Sequence, residues 1–198
     1  MGTAKRKSNH PAPESITPLL APLQALQNLL VEFDNQGVII GGIAVSLLGT
    51  PRFTADIDAV FILKTDDLPR LLQAAAKQGI EPRIADPIPF AHKNRVLLLR
   101  HLASGTDIDL ALGILPFEIE MVERSNVFEF GSIQLRLPTP EDLIILKAVA
   151  HRPKDMGDIQ AIAGNYTELD RNRIKFWVEQ FGNALELPEL WDMISQLL

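Results

Sequence analysis

The chain has 198 residues, of which 46% are hydrophobic and 22% are charged, and its formal net charge is -6 at pH 7. This length is enough for one domain with a full hydrophobic core, or for a domain with a small appendage. Because cysteine is absent, a disulfide framework and thiolate chemistry are excluded. The negative charge argues against broad, nonspecific binding to nucleic acid, which needs a basic surface.

The first segment, residues 1–13, is basic and polar and contains Pro11 and Pro13. This composition predicts a disordered tail and not a signal peptide. No uninterrupted apolar stretch of the sequence approaches the length of a membrane span. We therefore expect no membrane partner and a cytoplasmic location.

Residues 14–125 predict alternating helices and strands. Ser15 predicts the cap of a helix that ends near Phe33 and carries a stripe of leucines. A short apolar run over residues 38–40 predicts a buried strand, and it leads through a glycine pair into a short helix. The other predicted elements are that helix at 43–48, a strand at 56–63, a helix at 66–78, a loop at 81–94, and an antiparallel hairpin of strands at 95–102 and 106–112.

Residues 126–198 predict a small hairpin followed by helices. The hairpin strands are expected at 127–130 and 133–137, and the helices at about 141–150, 156–164, 171–181 and 188–198. The expected fold class is therefore α/β (α+β): a small mixed sheet flanked by helices, plus a mostly helical C-terminal part. The boundary between the two parts is expected near residue 125.

The most informative pattern is Gly41-Gly42, then thirteen residues, then Asp56-Ile57-Asp58. Alternate residues of a strand point to one face, so the two carboxylates lie side by side. Like charges at this spacing repel each other unless a cation or a shared proton compensates them. Because a glycine pair that leads into a helix can offer backbone N–H groups to phosphate, the pattern predicts a site for magnesium and a nucleoside triphosphate.

A third carboxylate is expected on the later strand, which reads Thr106-Asp107-Ile108-Asp109-Leu110. Asp109 is suited to metal ligation or to accepting the proton of an attacking hydroxyl. Asp107 lies on the same face of that strand, so the residues alone leave both open as the third carboxylate. A solvated acidic sheet face without a ligand is the simpler alternative.

The motif Gly-Gly-x13-Asp-x-Asp with a later strand aspartate resembles the DNA polymerase β-type nucleotidyltransferase superfamily. Two longer strings, GGIAVSLLGTPRFTADIDAVF and LPTPEDLIILKAVAHRPKDMGDIQAI, are similar to nucleotidyltransferases related to the AbiEii abortive-infection toxins. The resemblance covers roughly residues 35–165, and the two strings occur in the family's order.

The resemblance implies roles for individual residues. Magnesium would be held by Asp56, Asp58 and Asp109, which are also the implied catalytic residues; Asp109 is preferred over Asp107 because apolar residues follow it, as in the family. The implied nucleotide-binding residues are Gly41, Gly42, Ser46, Arg52, Thr54, Lys147 and Arg152. For Lys147, the exposed edge of an amphipathic helix is the alternative interpretation.

The implied activity is transfer of a nucleoside monophosphate from an NTP to a hydroxyl acceptor, with release of pyrophosphate. The resemblance implies a site for two Mg²⁺ ions, with Mn²⁺ as a substitute, and in-line attack on the α-phosphorus. The acceptor is a protein side chain, a small molecule or an RNA end, and the family also suggests a toxin silenced by an antitoxin partner. Two alternatives stay open: a catalytically silent nucleotide- or partner-binding module on the same fold, and a metal-dependent phosphohydrolase.

Overall fold

The structure is a computed structural model that describes residues 6–7, 14–130 and 133–198. The predicted disordered tail therefore lies outside the described residues, except for Arg6–Lys7, and so do Gly131 and Ser132 of the predicted hairpin turn. Among the described residues, no helix combines the length and the apolar character needed to cross a membrane.

Strands and helices alternate through the first two thirds of the chain, and helices follow. The strands are β1 (Arg6–Lys7), β2 (Gly37–Ile39), β3 (Asp56–Ile62), β4 (Ile80–Pro82), β5 (Val96–His101), β6 (Thr106–Gly113), β7 (Asn126–Phe130) and β8 (Ile133–Leu137). The helices are α1 (Leu20–Glu32), α2 (Gly41–Leu48), α3 (Leu68–Lys77), α4 (Pro87–Asn94), α5 (Pro116–Arg124), α6 (Pro140–Ala150), α7 (Pro153–Asn165), α8 (Arg171–Ala184) and α9 (Leu190–Ser195).

The central sheet has five strands in the order β2-β3-β6-β5-β4. Strands β3 and β6 run parallel, and each of the other neighbouring pairs is antiparallel. Alternate residues of β3 and β6, such as Ile57 and Ile108, are fully buried, so the opposite face of these strands carries the aspartates. The predicted mixed sheet flanked by helices is confirmed, and so are the assigned faces of both strands.

The C-terminal helices pack on one another and against α2. Helix α6 packs against α7 and α8, and both α6 and α7 contact α2. The Asn165 side chain of α7 donates a hydrogen bond of 2.7 Å to the backbone oxygen of Gly49, directly after α2. One cluster of buried hydrophobic residues includes members of both parts of the chain, and the boundary near residue 125 stays a prediction.

The predicted loop over residues 81–94 is wrong, because this segment contains the end of β4 and all of α4. Prolines caused the error, and the structure places each where proline is tolerated. Pro82 lies on an edge strand, and Pro87 begins a helix, where the missing N–H group would have had no partner in any case.

Two further expectations about helices are corrected. Ser15 does not cap the first helix, since α1 begins at Leu20 after a 3-10 turn over Thr17–Leu19. Helix α5 was not expected at all. It begins with Pro116, and the Glu118 carboxylate accepts a hydrogen bond of 2.8 Å from the backbone N–H of Leu115, which satisfies a free donor at the helix start.

A buried ion cluster joins α5, α6 and α8. Arg173 of α8 donates to Asp142 of α6 at 2.7 Å and to Glu120 of α5 at 2.8 Å. Asp142 is fully buried, and burial raises its pKa although Arg173 acts against the rise. Arg173 therefore compensates a carboxylate that would otherwise be costly to bury.

Substitution of Arg173 tests this cluster. We expect Arg173→Met to lower the free energy of unfolding by about 3 kcal/mol, because it removes the main partner of a buried charge. Lys175→Met is the matched control on the same helix: its ion pair with Glu179 is 3.7 Å long and half exposed, so its loss is worth less than about 0.5 kcal/mol. Chemical denaturation measures both, and equally small losses would contradict the assignment.

Candidate active site

The acidic centre lies on the two parallel strands of the central sheet. In their register Asp56 pairs with Asp107 and Asp58 pairs with Asp109. All four side chains are on the same face, because each is separated from its strand neighbour by one buried residue, Ile57 or Ile108. The structure therefore brings the three predicted ligands, Asp56, Asp58 and Asp109, to one sheet face.

The electrostatics of Asp58 show that these charges interact. Burial raises the pKa of Asp58, and the Asp56 and Asp109 carboxylates raise it further, whereas Lys147 and Arg152 lower it. Among the described residues, no group of three or more His, Asp or Glu side chains has the arrangement of a metal site. The fold therefore brings the three carboxylates to one face, but their side chains do not by themselves form a complete metal site.

The glycine pair forms the start of α2, and it lies against Asp58. Gly41 has φ +63°, and a Cβ at this position would collide with the Asp58 carboxylate. The N–H group of Ile40 also donates to the backbone oxygen of Asp58 at 2.8 Å. Only glycine allows this close approach, so the N-terminus of α2 and the acidic strand meet at Gly41.

Gly42 makes the second close approach, toward the loop that precedes β3. A Cβ at Gly42 would lie 2.6 Å from the hydroxyl of Thr54. That hydroxyl donates to the Asp56 carboxylate at 2.9 Å. Thr54 therefore orients one of the two strand carboxylates, which agrees with a supporting role at the site.

Ser46 and Arg52 fasten the same loop. The Ser46 hydroxyl is buried, donates to the backbone oxygen of Arg52 at 2.7 Å, and accepts from the Arg52 N–H at 3.2 Å. The Arg52 guanidinium donates to Asp158 of α7 at 3.2 Å. The Ser46 hydroxyl is therefore bonded to the backbone of this loop. The phosphate contact that the resemblance implies for Ser46 stays a prediction.

Lys147 lies in a buried ion network between α6 and α7. Its ammonium donates to Asp158 at 2.8 Å and to Asp155 at 3.2 Å, and only 4% of the residue is exposed. The exposed-edge alternative for Lys147 is therefore wrong. Arg152 donates to Asp155 at 2.7 Å, and its own side chain is 56% exposed.

A cavity of about 250 Å³ connects these groups to the acidic strand. It is lined by the charged residues Asp58, Lys147 and Arg152, together with Gly41, Ile40 and apolar side chains of α6. A concave pocket with a few convergent polar groups is typical of a small-molecule site. The cavity therefore joins Gly41, the Asp58 carboxylate and the cations of the C-terminal part.

Arg83 is a site residue that the sequence did not reveal. It donates to Asp107 at 3.0 Å and forms an ion pair with Asp109. Arg100 of β5 donates to Asp107 at 2.7 Å and lowers its pKa. In the sequence, the available signal for Arg83 is the positive charge of the predicted loop over residues 81–94. Asp155 and Asp158, which hold Lys147, were also not assigned to the site.

Residues 19–181 match the family described as "Nucleotidyltransferase of unknown function (DUF6036)". The chain belongs to this family. The matched range includes the glycine pair, the aspartates of both strands and the Lys147 network, so family and geometry agree. The membership confirms the nucleotidyltransferase superfamily, while the closer likeness to AbiEii-related toxins stays a prediction.

A solved structure supports the fold of this DUF6036 nucleotidyltransferase. It is similar to the crystal structure of an antigenic nucleotidyltransferase-like protein from Paracoccidioides brasiliensis, with 15% identity, a TM-score of 0.53, and coverage of 89% of this chain and 93% of that chain. The solution structure of antibiotic-resistance factor ANT(2'')-Ia is less similar, with 12% identity, a TM-score of 0.49, and coverage of 85% and 95%. The first similarity confirms the nucleotidyltransferase fold. No curated protein matches the sequence.

Substitution of Gly41 tests the contact between α2 and the acidic strand. We expect Gly41→Ala to lower the free energy of unfolding by about 1–3 kcal/mol, because alanine is strained at positive φ, and to displace Asp58 as well. Gly157→Ala is the matched control, since a Cβ there meets no atom within 4 Å and glycine is unfavourable inside a helix. Thermal unfolding compares the two, and equal behaviour would contradict the close approach.

Substitution of Asp58 tests the cost of ionising this carboxyl, whose pKa is raised by burial and by the neighbouring carboxylates. Because the folded-state pKa of Asp58 is raised, ionisation costs stability as the pH increases from the ordinary carboxyl pKa through the folded value. We therefore expect Asp58→Asn, in EDTA, to raise Tm by roughly 2 °C at neutral pH, with a smaller gain under acidic conditions. Asp192→Asn on α9 controls for the loss of one negative charge. A gain that shrinks as the pH rises would contradict the raised pKa of Asp58.

Proposed function

We propose that this DUF6036 nucleotidyltransferase transfers a nucleoside monophosphate from an NTP to a hydroxyl acceptor and releases pyrophosphate. The observation that carries the proposal is the meeting of Asp58 with the Gly41 end of α2, at one cavity with Lys147 and Arg152. This arrangement combines carboxylates for a metal with N–H groups and cations for phosphate. Nucleotidyl transfer requires this combination of positioning and charge compensation.

The acidic residues present fit magnesium. Asp56 and Asp58 offer hard oxygen donors side by side, and burial and the neighbouring carboxylates raise the pKa of Asp58 even though Lys147 and Arg152 act against the rise. These two residues would hold the ion, with Asp109 as a third ligand, and Mn²⁺ would substitute. When bound, the metal would neutralise phosphate charge and orient the reacting groups.

The remaining roles belong to the chain's own groups. The first N–H groups of α2 bind phosphate oxygens, helped by the positive end of the helix. Arg152 offers an exposed guanidinium at the cavity, while Lys147 contributes its charge from a fixed, buried position. Asp109 is the candidate to accept the proton of the acceptor hydroxyl, because it neighbours Asp58 on the open face.

One observation favours the silent binding module as a second candidate. Arg83 is paired with Asp109, and a lasting pair would keep this carboxylate from holding a metal ion or accepting a proton. The toxin role and the antitoxin partner stay predictions that rest on the sequence resemblance.

Label transfer from α-³²P NTPs tests the proposal. Each NTP is incubated with the protein and Mg²⁺, alone and with cell extract. We expect label on a protein, RNA or small-molecule acceptor with the wild type. Loss of at least about a hundredfold is expected for Asp56→Ala/Asp58→Ala, because the metal ligands are removed.

Asp192→Ala is the matched control, since it removes an exposed carboxylate of α9 and should transfer label like the wild type. Nucleotide binding without any labelled product would contradict the proposal and favour the silent module. Phosphate or pyrophosphate release without an adduct would favour the phosphohydrolase.

A further inference from the structure

Arg83 connects the edge of the central sheet to its acidic centre. Its backbone N–H donates to the Leu98 oxygen at 3.0 Å, directly after β4, so the residue extends the pairing of β4 with β5. The side chain is 25% exposed and reaches across β5 to β6. The backbone is therefore fixed, while the guanidinium lies at the surface of the site.

The two ends of the Arg83 guanidinium bind different carboxylates. Nη1 donates to Asp107 and Nη2 donates to Asp109. Asp107 is also held by Arg100 at 2.7 Å, whereas no other described cation is paired with Asp109. Arg83 can therefore release Asp109 and still keep one charged partner.

The ion pair between Arg83 and Asp109 matters because of where Asp109 lies. Asp109 is the register partner of Asp58, and its side chain is 42% exposed. A carboxylate oxygen that accepts from a guanidinium has less capacity for another cation, since both cations compete for the same lone pairs. The register partner of Asp58 therefore already carries a cation that belongs to the protein.

We propose that Arg83 competes with the divalent cation for Asp109 and thereby sets the affinity of the site for metal. The inference rests on the metal role of Asp56, Asp58 and Asp109 in the proposed function. Without metal, Arg83 shields Asp109 and limits the repulsion with Asp58. When a divalent cation binds, Arg83 leaves Asp109 and stays on Asp107.

Titration with Mn²⁺ alone, without nucleotide, tests this competition by isothermal calorimetry on the full chain. We expect Arg83→Gln to bind Mn²⁺ about tenfold more tightly than the wild type, since one charge-assisted bond no longer has to be broken. Arg100→Gln is the matched control: it removes the same charge from the same face, but among the described residues its only carboxylate contact is Asp107. Its affinity should change by less than about threefold.

A double-mutant comparison assigns the effect to Asp109. In an Asp109→Asn background, Arg83→Gln should change Mn²⁺ affinity no more than Arg100→Gln does. Arg83→Lys keeps the charge, and it provides a folded variant with a weaker contact if Arg83→Gln is unstable. Because lysine lacks the planar fork of arginine, tightening is expected here too, by a smaller factor.

Equal tightening by Arg83→Gln and Arg100→Gln would overturn the inference, since net charge alone would explain it. Unchanged affinity in Arg83→Gln, or an effect that persists with Asp109→Asn, would also overturn it. If the wild type and all variants bind no Mn²⁺, the metal part of the proposed function fails together with this inference. Tight binding by Arg83→Gln without label transfer would leave the inference standing and remove only the transfer reaction.

Discussion

The repulsion among carboxylates on β3 and β6 is the constraint on which the rest of the site depends. The parallel register places Asp58 beside Asp109 and Asp56 beside Asp107, so the fold concentrates negative charge on one sheet face. Repulsion within such a cluster of carboxylates destabilises the fold unless cations or N–H dipoles face it. The N-terminus of α2, the buried Lys147, and the guanidinium groups of Arg83 and Arg152 all supply that compensation from different parts of the chain.

The positive groups explain why the C-terminal helices belong to the site. Lys147 is buried between Asp155 and Asp158, and Asp158 also binds Arg52 in the loop before β3. The network therefore fixes α6, α7 and the loop relative to each other. Since the cavity has walls from the sheet, from α2 and from α6, a nucleotide would contact both parts of the chain. The parts of the chain before and after the predicted boundary at residue 125 would then both form walls of the site.

Local patterns predicted the centre of the fold well and its edge poorly. Strand β3, the glycine helix and the faces of both acidic strands follow from alternation and from glycine, which act over a few residues. The segment over residues 81–94 was misjudged because its prolines are tolerated only by virtue of position, on an edge strand and at a helix start. Arg83 lies in that segment, so the same error hid its ion pair. Partners of Arg83 and Lys147 depend on tertiary packing, which no short pattern encodes.

Asp107 and Asp109, which the sequence motif cannot distinguish, have different neighbours in the strand register and different ion-pair partners. Both residues share a strand face, so alternation alone cannot distinguish them. In the structure Asp107 accepts from Arg83 and Arg100, and its pKa is lowered, chiefly by Arg100. Asp109 lies beside Asp58, whose pKa is raised. Among the described cations, Arg83 alone donates to Asp109. Strand β6 therefore carries one carboxylate with two arginine partners and one with a single arginine partner among the described residues, which is why the chemistry is proposed for Asp109 and not for Asp107.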